Sequence, residues 1–156
     1  MILSIDKSMM QEALKLARQA AEKDEVPVGA IITHKNKIIA RAHNQVETLK
    51  DPTAHAEMLA ITQATSTLSL KWLRDCTIYV TIEPCSMCVG ALVLSRIQRL
   101  CFGVSDPKTG ACGSVVNLAG HPQLNHQIKI QKDMLVEECG RLMSEFFRRK
   151  RKRKDL

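Results

Sequence analysis

Residues 26–104 switch repeatedly between short aliphatic runs and stretches of helical spacing, and this alternation limits the fold more than any other feature. Residues 26–33 read as a buried strand, 34–37 as a turn and 38–42 as the returning arm of a hairpin. Helical spacing follows over 54–65, then a strand over 77–82, a helix over 85–95 opened by Pro84, and a strand over 97–104. A short strand at 128–130 completes the set. Ahead of them, Ser8 can cap a helix in which Met10, Ala13, Leu14, Ala17, Ala20 and Ala21 share one face, to about Glu22. Behind them, Leu135, Cys139, Leu142 and Phe146 form the stripe of a last helix from near Asp133. Residues 44–53, 105–113 and 121–126 are polar and read as loops. Strands alternating with helices, after a leading hairpin, predict an α/β sandwich around a mixed sheet.

The 156 residues suffice for one domain with a real core, and no repeat, low-complexity linker or second domain interrupts them. Aromatic residues make up only 3%, so the core must be aliphatic. No apolar run approaches the roughly 20 residues that span a bilayer. Residues 1–8 lack a basic stretch ahead of an apolar one, so the expected location is the cytoplasm. Cysteines in a reducing compartment point away from disulfides. Of the six, Cys85 and Cys88 form a C-x-x-C pair, which reads as metal or redox chemistry, and Cys76, Cys101, Cys112 and Cys139 read as small apolar residues.

Charge is unevenly distributed. The chain carries a net +7, and residues 148–154 (RRKRKRK) are seven consecutive basic residues, so the rest is about neutral. A basic tail on a neutral body suggests a nucleic-acid contact added to a domain with another job; a solvated helix end that aids solubility fits the charge equally well.

The chemistry concentrates in Thr53-Ala54-His55-Ala56-Glu57 and Glu83-Pro84-Cys85-Ser86-Met87-Cys88, each at the start of an expected helix. A three-residue separation lets both sulfurs point from one face of a first turn. The unpaired N–H groups there favour thiolates, the ligating form. His55 can supply an imidazole from the facing helix. Two thiolates and an imidazole suit Zn²⁺ and leave a fourth position open to water, the pattern of a catalytic site. Glu57 can stand beside the metal without ligating it and move protons. Other readings of these residues are a dithiol redox pair, which leaves the His-x-Glu unexplained, and a structural zinc closed by Cys112 or His121. His34 and His43 read as surface or internally satisfied residues.

The joint pattern H-x-E…P-C-x-x-C is that of the zinc nucleobase deaminases. Here the chain resembles the cytidine and deoxycytidylate deaminase superfamily, and within it the bacterial tRNA-specific adenosine deaminases. The similarity runs through Pro27 to Ala30, His43-Asn44, Asp51 to Glu57, Glu83 to Cys88 and Ser95 to Ile97. It continues through Phe102-Gly103, Asp106 to Ala111, Asn125-His126 and Phe146 to Arg148.

The resemblance implies a three-layer α/β/α sandwich with a five-stranded sheet, a single deaminase domain over 1–156, a homodimer and one Zn²⁺ per subunit. It further implies hydrolytic conversion of adenosine to inosine at the wobble position of an arginine tRNA with an ACG anticodon, with ammonia released and Glu57 carrying protons. Asn44 is then expected to hydrogen-bond the base and the backbone of Val28, Gly29 and Ala30 to line the pocket. Asp106, Lys108, His121, Asn125 and the last helix, with Phe147, Arg148 and Arg149, are expected near the anticodon loop. Phe146 belongs to the apolar stripe, which leaves Phe147 as the ring for stacking. Two rival expectations remain: a deaminase of free guanine, cytosine or a nucleotide using the same zinc site, and an RNA-binding module with structural zinc and no turnover.

Overall fold

In the computed structural model, which describes residues 1–155, the hairpin leads into a five-stranded mixed sheet. Its strands are β1 (Gly29–His34), β2 (Lys37–His43), β3 (Cys76–Ile82), β4 (Arg99–Val104) and β5 (Lys129–Gln131). They lie in the order β2-β1-β3-β4-β5, with β1 antiparallel to both neighbours and β3, β4 and β5 parallel. Lys35 and Asn36 close the hairpin with positive φ, 51° and 62°, the two-residue turn whose twist matches the flanking strands.

The helices are α1 (Asp6–Glu22), α2 (Val46–Leu49), α3 (Ala56–Leu68), α4 (Ser86–Leu94) and α5 (Val136–Lys154). Side-chain alternation divides the interior into two cores. Ala30, Ile32, Ile78, Val80, Leu100 and Phe102 point to one face, under Ala56, Ala60 and Ala64 of α3 and Val89, Leu92 and Val93 of α4. Their neighbours Ile31, Tyr79 and Cys101 point to the other, against Met10, Ala13 and Leu14 of α1 and Cys139 of α5. The expected sandwich is therefore present, and its core is aliphatic. Gly29 is the point of closest approach to α1: a Cβ there would lie 2.0 Å from the Ala13 carbonyl oxygen, so only glycine lets strand and helix meet.

Three details differ from the sequence reading. Ser8 does not cap α1; its hydroxyl donates to the Ile5 carbonyl, and the helix starts at Asp6. Asp6 is fully buried, accepting the Leu3 N–H, the Tyr79 hydroxyl and both Arg99 guanidinium nitrogens, so a tertiary network fixes the start in place of a local cap. The stretch 44–53 contains the single turn α2, too short to leave a periodic signal. Residues 148–154 form the last turns of α5, so the basic run is a helix surface and not a tail. Among the described residues no helix is long and apolar enough to cross a membrane.

Candidate active site

His55 and Cys85 occupy equivalent places: each is the residue just before a helix, in extended conformation, with ψ of 151° and 175°. The conformation turns both side chains back toward the helix starts, and Pro84, just outside α4, disfavours helix at Glu83 before it. Cys88, one turn into α4, comes onto the same side. The His55 Nδ1 lies 3.7 Å from the Cys85 Sγ and 3.5 Å from the Cys88 Sγ, and all three ligand atoms fall within 4.8 Å of one another. Among the described residues neither Cys112 nor His121 joins this group, so its geometry is a three-donor set and the closed four-ligand reading has no support.

Proton affinities in the cluster are strongly divided. Cys85 is pulled down to about 4, first by the hydrogen bond from the Cys88 thiol and then, against the opposing effect of burial, by His55. Cys88 is pushed up, first because it donates to Cys85 and second because it is buried. His55 is raised, chiefly by its hydrogen bond with Cys85. Glu57 lies one residue into α3 and is 3% exposed; burial pushes its carboxyl above the ordinary glutamate range, with partial relief from its own backbone N–H and from His55. A soft, partly ionised donor set therefore stands beside a carboxyl that holds its proton readily.

The cluster opens onto a cleft of about 840 Å³. Val28 and Asn44 line it, and Asn44, 7% exposed, is held by its N–H to the Val28 carbonyl. Asp106, Pro107 and Lys108 also line it, as do Met143, Ser144, Phe147, Lys150 and Arg151 of α5, of which the exposed Ser144, Phe147 and Arg151 mark its mouth.

Several expected residues lie elsewhere. Of the 28–30 segment only Val28 lines the cleft; Gly29 faces α1 and Ala30 the α3/α4 core, because strand alternation turns successive residues apart. His121 and Asn125 belong to a separate loop outside the cleft lining. Arg148 is exposed and lines no part of it, and Arg149 instead lines a groove between α1 and α5 with Arg18, Lys152 and Arg153. Phe146 is fully buried and Phe147 is 39% exposed at the cleft mouth, as the apolar stripe predicts. Lys150 and Arg151 were not singled out by the sequence, although the helical phase of Phe147 carried through the basic run reaches them. His43 is internally satisfied, its Nδ1 3.0 Å from the Asn44 carbonyl oxygen.

Fold and cluster together define a metal-site nucleobase deaminase, and a MafB19-like deaminase family model matches residues 5–151. Two relatives named tRNA-specific adenosine deaminase are close in sequence. The Aquifex aeolicus protein is 53% identical over 91% of this chain and 93% of its own length, and the Bacillus subtilis protein 48% identical over 96% and 92%. A solved structure from work on A-to-I editing by tRNA:A34 deaminases at the wobble position of transfer RNA superposes with a TM-score of 0.84. It is 38% identical and is matched over 86% of this chain and 98% of that one. The chain belongs to the tRNA-specific adenosine deaminase family.

Proposed function

We propose that this chain, as a single deaminase domain, hydrolytically deaminates adenosine to inosine at wobble position 34 of tRNA, the position named for its solved relative. Adenosine and water give inosine and ammonia. The observation that carries the reading is the pairing of a three-donor metal cluster and buried Glu57 on the floor of a cleft whose mouth bears Phe147, Lys150, Arg151 and Lys108.

His55, Cys85 and Cys88 would hold one Zn²⁺ per subunit, since two sulfurs and an imidazole at these separations fit that ion. When bound, zinc supplies a water acidified to a pKa of about 7, a nucleophile for C6 of the base. Glu57, buried and with its proton affinity raised, is suited to carry one proton from the attacking water to the purine N1 and then the proton of the new C6 hydroxyl to the amine, which departs as ammonia and leaves the inosine carbonyl. Asn44, fixed by its backbone, presents its amide to the base edge. The anticodon loop is unpaired, so a base can enter the cleft without opening a duplex. Phe147 stacks a neighbouring base, and Lys108, Lys150 and Arg151 follow the phosphates. A homodimer, an arginine tRNA with an ACG anticodon as substrate and a cytoplasmic location complete the proposal.

The test is nucleoside analysis after incubating zinc-loaded protein with an arginine-tRNA anticodon stem-loop carrying a wobble adenosine, with free guanine, cytidine and dCMP in parallel. Inosine from the stem-loop alone is expected. Ammonia from a free base, nucleoside or nucleotide and no inosine in RNA would overturn the substrate assignment while retaining the metal chemistry.

A further inference from the structure

Two buried carboxylates that line the cleft take no part in the chemistry above. Glu25, just before β1, is fully buried, and Glu83, just after β3, is 2% exposed; both line the cleft. Neither has an oxygen to spare. Glu83 accepts the N–H groups of Asp106 at 3.1 Å, Cys112 at 2.9 Å and Ser114 at 3.2 Å, together with the Ser114 hydroxyl. Glu25 accepts the Glu47 N–H at 3.0 Å and the Thr48 N–H at 2.6 Å, together with the Thr48 hydroxyl. Because the start of β1 lies against the end of β3, both carboxylates sit at the same end of the sheet, and each gathers one lip of the cleft: Glu83 the 105–114 loop and Glu25 the helix α2.

The packing around Glu83 is built for this contact. A Cβ on Gly110 would lie 2.4 Å from the carboxylate, so a larger residue there would push the hydrogen-bonded Glu83 side chain aside. The adjoining Ala111 N–H donates to the Pro84 carbonyl, which ties the lip to the segment that carries Cys85. Complete satisfaction by N–H and O–H donors also lets two negative charges sit in a cleft that admits a polyanion, because the donors spread and neutralise them locally.

We infer that Glu25 and Glu83 are positioning residues that fix the two lips of the cleft and so set the fit of the RNA loop, without touching the reacting base. This rests on the RNA-editing reading of the same cleft. Because Gln keeps the volume but turns an N–H₂ toward N–H donors, Glu83→Gln and Glu25→Gln release one lip each.

The experiment measures stem-loop KM and kcat, zinc content and amide hydrogen exchange for both variants, with the milder Ser114→Ala and Thr48→Val alongside. Each Gln variant is expected to raise KM about tenfold or more with kcat nearly unchanged and zinc retained. Each milder variant is expected to raise KM about threefold. Exchange should quicken at Asp106, Cys112 and Ser114 in Glu83→Gln, and at Glu47 and Thr48 in Glu25→Gln, while β1 and β3 stay protected. Unchanged KM, continued protection of the lip amides, or a fall in kcat that tracks lost zinc would overturn the inference. If a Gln variant does not fold, unchanged KM in its milder partner is decisive against it. Wild-type protein that makes no inosine rejects the RNA-editing reading itself, whereas active wild type with unaffected variants rejects only this role.

Discussion

The floor and the mouth of the cleft are built on opposite principles. At the floor, His55, Cys85, Cys88 and Glu57 stand on the first turns of two neighbouring helices, with Cys88 fully buried and Glu57 3% exposed. At the mouth, Phe147 is 39% exposed, Lys108 and Arg151 are also exposed, and the supports are one helix face and one loop. Buried groups in fixed positions suit bond making, where a small displacement is costly; exposed cations and a ring suit a flexible anion, where many weak contacts add up. On the proposed reading, the floor sets the rate and the mouth sets the affinity.

That division can be broken by substitution, beginning at the floor. Cys88→Ala removes a proposed ligand, and metal analysis should show zinc lost and inosine formation abolished, with stem-loop binding retained. Glu57→Gln should lower kcat by about 10²–10⁴-fold while zinc stays bound. At the mouth, Phe147→Ala should weaken stem-loop binding by about 1–3 kcal/mol, read by titration at fixed salt, with kcat at saturation little changed. Arg151→Ala should reduce the slope of log affinity against log salt by about 1. Arg149→Ala, on the neighbouring groove, should reduce it less; an equal or larger loss would place the RNA across α1 and α5.

The smallest effect lies outside both regions. Burial raises Asp6, but the Arg99 guanidinium, with the Leu3 N–H and the Tyr79 hydroxyl, outweighs it and holds the carboxyl below the ordinary aspartate range. A lowered folded-state pKa gives stability that is fully present above the unfolded value of about 3.9 and is lost as pH falls through the folded value. Asp6→Asn should therefore lower the melting temperature at pH 7 and flatten its decline below pH 4. The exposed Asp24–Arg153 pair has the same 2.7 Å separation, yet Asp24→Asn should leave the melting temperature unchanged, because solvent screens it.

The same contrast explains what could be read from the sequence. Metal-ligand sets accept few residue types at few spacings, so the cluster of His55, Cys85 and Cys88 was legible from its spacing, with Glu57 marked by its place two residues after His55. The hairpin, the crossover helix α4 and the two-sided strands were legible because alternation and turn chemistry act locally. The mouth was legible only in part: Lys108 and Phe147 were named, but which of Arg148, Arg149, Lys150 and Arg151 faces the cleft depends on the phase of α5 and how it lies on the sheet. The uninterrupted basic run hides that phase. Glu25 and Glu83 were missed for a different reason: their partners lie 22 to 31 residues away, and no local pattern marks a carboxylate that gathers distant amides.

The most direct test of the division sets single-turnover inosine formation beside binding of one wobble-adenosine stem-loop, for wild type, Glu57→Gln and Phe147→Ala. The account predicts that Glu57→Gln binds like wild type and converts almost nothing, and that Phe147→Ala binds weakly yet converts at nearly the wild-type rate once saturated. Conversion by Glu57→Gln at the wild-type rate, or undiminished binding by Phe147→Ala, would contradict it.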